Sequence, residues 1–387
     1  MRTGECTQGR RRIQVRRRDF LKSTLAIGVG VTAWGTGVKL GRAQGRVPIH
    51  ALYIPLADHY AAAVMSHATY AAQMHKVEYT VELMQSWPSL QGKFLAGQAD
   101  VAFVIAPMAM DMFAQKPQFR CVSLVHRDGN ALAVNEILAR QLSLPNDRRE
   151  RKPNAQVAEA MAAWKRAHGT PSICGLPSLL STHAVVLYKY LKDHGKTLAL
   201  GEGDGDVLAK PVPPSAAPEF LQHQAKEGNA ASFEQSLPWA DVVETGGYGK
   251  VVWYSKDVLP WPDGHVECIM LASDNAIEEK REALQEVITA IHRAGCDIDA
   301  ARALGGFALR KMAMAINKHL PLHTVEAIIQ SLRADLAVIN YANLNVDKAG
   351  LRHIMQLAVE AKILKQPVDL DAFVDTSFAT DFTSTHG

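Results

Sequence analysis

The stretch "PSICGLPSLLSTHAVVLYKYLKDHG", residues 171–195, sets a short apolar strand at 172–175, a polar turn and a helix in immediate succession. Val185, Val186, Leu187, Tyr188 and Leu191 recur at helical spacing; Ser181 and Thr182 precede them as an N-cap does, and Gly195 supplies a stop. A strand feeding a helix is the repeating unit of an α/β fold. His183 shares a helix face with Leu187 and Leu191, which suits a core histidine. A helix start also offers free N–H groups and the positive end of the dipole to an anion, so both roles are open for it.

The alternation continues outward from this unit. Upstream, a strand from Val47 leads into a loop at 54–59 and an Ala-rich helix; "KVEYTVELMQS" alternates as a half-buried strand, and "VAFVI" at 101–105 reads as a buried one. Pro107 suits the first turn of the next helix, and two apolar strands flank a His-Arg-Asp-Gly turn at 126–129. Residues 142–166 are polar and helix-prone, a candidate connection between two lobes. The C-terminal part is mainly helical and ends in an extended tail.

With 387 residues, 48% hydrophobic and 21% charged, the chain has a globular composition of a size that divides into two domains. Its formal charge of +3 misleads. The first 43 residues hold ten Lys/Arg and two Asp/Glu, so the remainder carries 32 basic against 37 acidic residues, a formal charge of −5. Nothing there points to nucleic acid. Cys121, Cys174, Cys268 and Cys296 are widely spaced without a C-x-x-C pair, and G-x-S-x-G and H-E-x-x-H are absent. The histidines of "DHY" (58–60), "MHK" (74–76) and "LVH" (124–126) are scattered along the chain. No metal site, cofactor or catalytic group is therefore expected, and the cysteines are open to a disulfide or to buried thiols.

Residues 1–43 read as an address. "RRDFLK" at 17–22 resembles the twin-arginine export signal, followed by a Gly-interrupted apolar stretch at 23–38 and a small-residue exit near Ala43. That stretch falls short of the ~20 residues a membrane span needs. The resemblance implies recognition by the twin-arginine translocase and a soluble periplasmic product.

"YIPLADHYAAAVM", "SWPSLQGKFLAGQADVAFVIAPMAM", "GNALAVN", "STHAVVLYKYLKDHG", "LPWAD", "GKVVWYSKDVLP" and "MQLAVEAKILKQPVDLDAFVDTSF" follow in this order over most of residues 50–375. Together they resemble the periplasmic binding proteins of nitrate, sulfonate, taurine and bicarbonate ABC transporters. The resemblance implies two Rossmann-like lobes of the type II periplasmic-binding class, clamping a small oxyanion with a permease and an ATPase as partners. It places the first lobe at 47–135 plus 246–375, the second at 140–242, a tail at 376–387, and hinge crossings near 134–138 and 242–246.

By the same resemblance Trp87 and His183 line the ligand site, with Ser181 and Thr182 as added donors, Gly247 in a Gly-rich turn, and Lys250 as the ligand's cation. Leu237 stands where the pattern has an acidic residue. Two other readings share the fold: a sensing protein serving a signalling partner, and an enzyme like the pyrimidine-precursor synthases.

Overall fold

The computed structural model describes residues 45–381; the expected export signal at 1–43 and residues 382–387 lie outside them. The strands in chain order are β1 (Val47–Tyr53), β2 (Val77–Leu83), β3 (Val101–Ile105), β4 (Phe119–Leu124), the two-residue β5 (Arg127–Asp128) and β6 (Asn130–Val134). They continue with β7 (Ser172–Leu176), β8 (Leu198–Leu200), β9 (Val207–Pro211), β10 (Ala231–Ser236), β11 (Lys250–Tyr254), β12 (Cys268–Ser273) and β13 (Ile339–Asn340).

Two mixed sheets result. One runs β2-β1-β3-β12-β4, the other β11-β6-β10-β7-β9-β8, each flanked by helices, and the fold is α/β with two lobes. β3 sits at the centre of the first sheet because all five of its residues are apolar and buried; Val101, Phe103, Val104 and Ile105 contribute roughly 1.5–3 kcal/mol each. β2 takes the edge, where Glu78 and Thr80 alternate outward with buried Val77 and Tyr79. The opening helix is Thr182–Asp193, with Ser181 as N-cap.

The chain changes sheet twice, between β4 and β6 and between β11 and β12. These crossings run side by side: the Asp128 N–H donates to the His265 carbonyl (2.9 Å) and the His265 N–H to Asp128 Oδ1 (2.9 Å). The boundaries drawn from the sequence therefore shift. β6 and β11 flank one another as antiparallel partners in the six-stranded sheet, so residues 130–134 and 250–254 belong to the second lobe rather than the first. An apolar strand does not announce which sheet it will join, since pairing is a long-range choice. Residues 142–166 likewise hold no connection between lobes: the helix Ala155–His168 packs on β7 of the second sheet. The described part of the tail is not extended, because Thr376–Phe378 forms a 3-10 turn that buries Phe378 against β4. Among the described residues no helix is long and apolar enough to cross a membrane.

Candidate functional site

Both sheets present the same end to one another. Asp58 lies in the short turn Ala57–His59 that follows β1, and His126 follows β4. Cys268 opens β12, which runs antiparallel and so pairs it with Ile105, the last residue of β3. From the second lobe come Ser236 at the end of β10, Asn130 opposite it at the start of β6, and His183 in the first turn of its helix. Carboxyl ends of strands are where open α/β sheets bind ligands.

The polar side chains that meet there are fully buried: Asp58, His126, Asn130, Thr182, His183, Glu234, Ser236 and Glu267. Ser236 Oγ donates to Asp58 Oδ2 (2.8 Å) and lies 2.9 Å from His183 Nε2. With its hydrogen given to Asp58, the hydroxyl accepts from His183 Nε2–H, which leaves Nδ1 as an acceptor 3.4 Å from Glu267 Oε1. Asn130 Nδ2 donates to Glu267 Oε2 (3.0 Å), and Cys268 Sγ to Asp58 Oδ2 (3.6 Å). Hydrogen bonds thus link Cys268 and Asp58 of the first lobe to Ser236 and His183 of the second, and separately Asn130 to Glu267.

What the cluster lacks is a compensating base. Among the described residues, no lysine or arginine is a hydrogen-bond or ion-pair partner of Asp58, Glu234 or Glu267. Burial pushes the Glu234 and Glu267 carboxyls well above the ordinary range, and neighbouring acids push further: Glu267 and Asp58 act on Glu234, and Asp58 on Glu267. Burial acts upward on Asp58 too, but His126 above all outweighs it and draws that carboxyl down to about 2. Burial lowers His183 to about 3. At neutral pH Asp58 is ionised and His183 neutral, while burial and the neighbouring acids bias both glutamates toward their protonated forms. Asp58 Oδ1, His126 Nε2, His183 Nδ1 and both Glu234 carboxyl oxygens have no hydrogen-bond partner.

The residues singled out in the sequence divide. His183 is in the cluster, and Thr182 lies beside Glu267, whose carboxyl its hydroxyl helps to lower. Ser181 is spent on capping: its Oγ accepts from the Ala184 N–H (3.1 Å) and donates to the Ser178 carbonyl (2.5 Å). Trp87 is buried at the head of the helix Trp87–Leu95 with its Nε1 unpartnered, edge-on to His59 at 6.3 Å between ring centres. Gly247 (φ +75°) and Lys250 are exposed and line an outer groove with Glu136, Arg140 and Arg151. Lys250 pairs with Val134, four residues along β6 from Asn130, or about 13 Å at strand rise. Lys250 and His183 thus belong to one lobe and do not face each other across the cleft.

Sequence reading passed over Asp58, His126, Glu234, Ser236, Glu267 and Cys268. "DHY" and "LVH" are scattered along the chain and suggest no ligand set, yet Asp58, His126 and Cys268 bring ligand-type atoms within 4.8 Å of one another. The one usable signal was position: Asp58 and His126 each fall just past the end of an apolar strand.

Residues 44–305 match the NMT1-like family, and no curated protein sequence matches the chain. In structure the chain is similar to the periplasmic nitrate-binding protein NrtA from Synechocystis PCC 6803, at 14% identity and a TM-score of 0.68 over 86% of this chain and 85% of that one. It is also similar to the ligand-binding component of an ABC-type import system from Staphylococcus aureus with zinc bound (17%, 0.67, 88% and 100%). A third similar structure is the alkanesulfonate-binding protein SsuA from Xanthomonas axonopodis pv. citri bound to MOPS (11%, 0.62, 85% and 98%).

Proposed function

The chain belongs to the NMT1-like family, and on that premise we propose that it is the solute-binding component of an ABC importer, closing its two lobes over a small solute. The observation that carries this reading is the set of fully buried, unpartnered polar atoms contributed by both lobes at the carboxyl ends of their strands. Leaving such a group unbonded costs about 1–3 kcal/mol, and several in one place point to a bound partner. The similar binding proteins support the role. A periplasmic location, delivery by the twin-arginine translocase, and a permease and ATPase as clients follow from the same reading.

Binding needs no nucleophile, and the cluster's thiol is a poor one: burial, then Asp58 and Glu267, push Cys268 well above the ordinary thiol range. Asp58 is ionised with only His126, and no lysine or arginine among the described residues, beside it, so a solute that brings positive charge can take that histidine's place as the carboxylate's partner. A small oxyanion is the second reading. It is supported by the likeness to nitrate and alkanesulfonate binders and by Glu234 and Glu267, which as neutral acids can donate hydrogen bonds.

Thermal melts of the protein with inorganic anions, sulfonates, amines and divalent cations test the proposal. A true ligand at 100 times its Kd stabilises by about 2.7 kcal/mol and reduces the radius of gyration in small-angle scattering. If no compound in the panel does both, the importer reading falls.

A further inference from the structure

We propose that Asp58, His126 and Cys268 form a binding site for a divalent metal of the zinc class, and that this metal is the centre about which the interlobe cluster is organised. The inference rests on the solute-binding reading for its place in the cleft and on the side chains for its chemistry.

The spacing fits. His126 Nε2 lies 3.6 Å from Asp58 Oδ1, Cys268 Sγ lies 3.6 Å from the other carboxylate oxygen, Oδ2, and one ligand-type atom from each of the three residues falls within 4.8 Å of the others. A tetrahedral ion with metal–ligand distances of about 2.0–2.3 Å sets its ligands roughly 3.3–3.7 Å apart. His126 Nε2 and Asp58 Oδ1 are also aimed at one another and without a hydrogen-bond partner. His126 Nδ1 turns to the Arg127 carbonyl (3.4 Å), the bond that fixes a ligating histidine's tautomer and leaves Nε2 as the lone-pair nitrogen. In that tautomer Asp58 loses the His126 proton that otherwise draws its carboxyl down, and an acceptor nitrogen faces a carboxylate oxygen, both fully buried. A cation between them resolves the conflict.

The surroundings do what the outer shell of a metal site does. Ser236 Oγ holds the second Asp58 oxygen and is itself held by His183, so the ligands come from the first lobe and the groups that orient them from the second. Ligand and orienting group then meet only when the lobes are together. Nitrogen, sulfur and carboxylate donors in one set select zinc, cobalt or copper over calcium and magnesium, which take oxygen ligands. Three protein ligands leave a tetrahedral ion one position for a water or a small solute.

The test uses the full chain, stripped with a chelator and titrated with cobalt(II) as a spectroscopic stand-in for zinc, then with zinc and calcium. One equivalent of cobalt should bind with a thiolate-to-cobalt charge-transfer band, zinc should displace it, and calcium should not compete. Cys268→Ser should abolish the band and weaken cobalt binding by more than about 100-fold, while Ser236→Ala should weaken it about 10- to 100-fold with the band retained. Cys296→Ser, at a half-buried thiol outside the cluster, should leave both unchanged. Circular dichroism without metal checks that each variant folds. No stoichiometric binding, or binding whose band survives in Cys268→Ser, overturns the site; so does a His126–Asp58 ion pair that forms without metal and yields no band. If cobalt fails but an anion still shrinks the protein, the metal site falls and the importer reading stands. If cobalt binds through Cys268 while no compound in the panel reduces the radius, the importer reading falls and the metal site stands.

Discussion

The second lobe holds a buried charged cluster that contrasts with the one between the lobes. Arg148 pairs with Asp241 and Glu244, and Arg151 donates to Glu244 (2.8 Å) and to the Val251 carbonyl (2.6 Å). Ser331 Oγ donates to the second Asp241 oxygen (2.7 Å). Each acid there has a guanidinium, Asp241 also accepts from Ser331, and Glu244 Oε2 also accepts from the Val251 N–H, so the charges are compensated within the chain. Asp58, Glu234 and Glu267 are as deeply buried and, among the described residues, have no guanidinium or ammonium as partner. A closed network is a structural element, whereas an open one is shaped for something outside the chain.

The largest expected effect tests the closed network. Arg148→Met leaves Asp241 buried without its main partner and should cost about 3–5 kcal/mol in urea unfolding; a loss under 1 kcal/mol would erase the contrast. In the open cluster, removing charge should help. The folded Glu234 carboxyl sits above its ordinary value of 4.5, so its contribution to stability is complete below that pH and is lost as pH rises. Glu234→Gln should remove up to about 1.4 kcal/mol of that loss per pH unit, seen as a flatter stability profile between pH 5 and 7. A steeper profile would mean the carboxylate is compensated after all.

His183 works in the opposite sense. Its folded value of about 3 lies below the ordinary 6.5, so the stability it confers is present above pH 6.5 and lost as pH falls toward 3. His183→Gln should spare about 1.4 kcal/mol per pH unit on acidification, after a neutral-pH loss of about 1 kcal/mol for its bond to Ser236. Acid titration followed by fluorescence reads both. The smallest effect belongs to Lys250→Ala: at an exposed strand end it should shift stability by less than about 0.5 kcal/mol and solute affinity by less than 2-fold. A large loss of anion binding would move the site to the outer groove.

Much of the fold was written locally. The strand at 101–105, the Ser181 cap, the helix behind it and the α/β class depend on periodicity and capping, which act over a few residues and can be read from order alone, whereas the two lobes are what the resemblance implied. His183 and Thr182 were found because a helix start is a local feature. Lobe membership of β6 and β11 was not legible, since an apolar strand pairs with whichever neighbour the folded chain brings to it. The composition of the site was not legible either. Asp58, His126, Ser236 and Cys268 are separated by tens of residues or more, and their meeting is decided by two sheets turning the same strand ends toward each other. Charge followed the same rule: Lys250 carries a cation wherever it lies, but only the tertiary structure places it at the far end of a strand, where water screens it, and leaves the buried acids to one another.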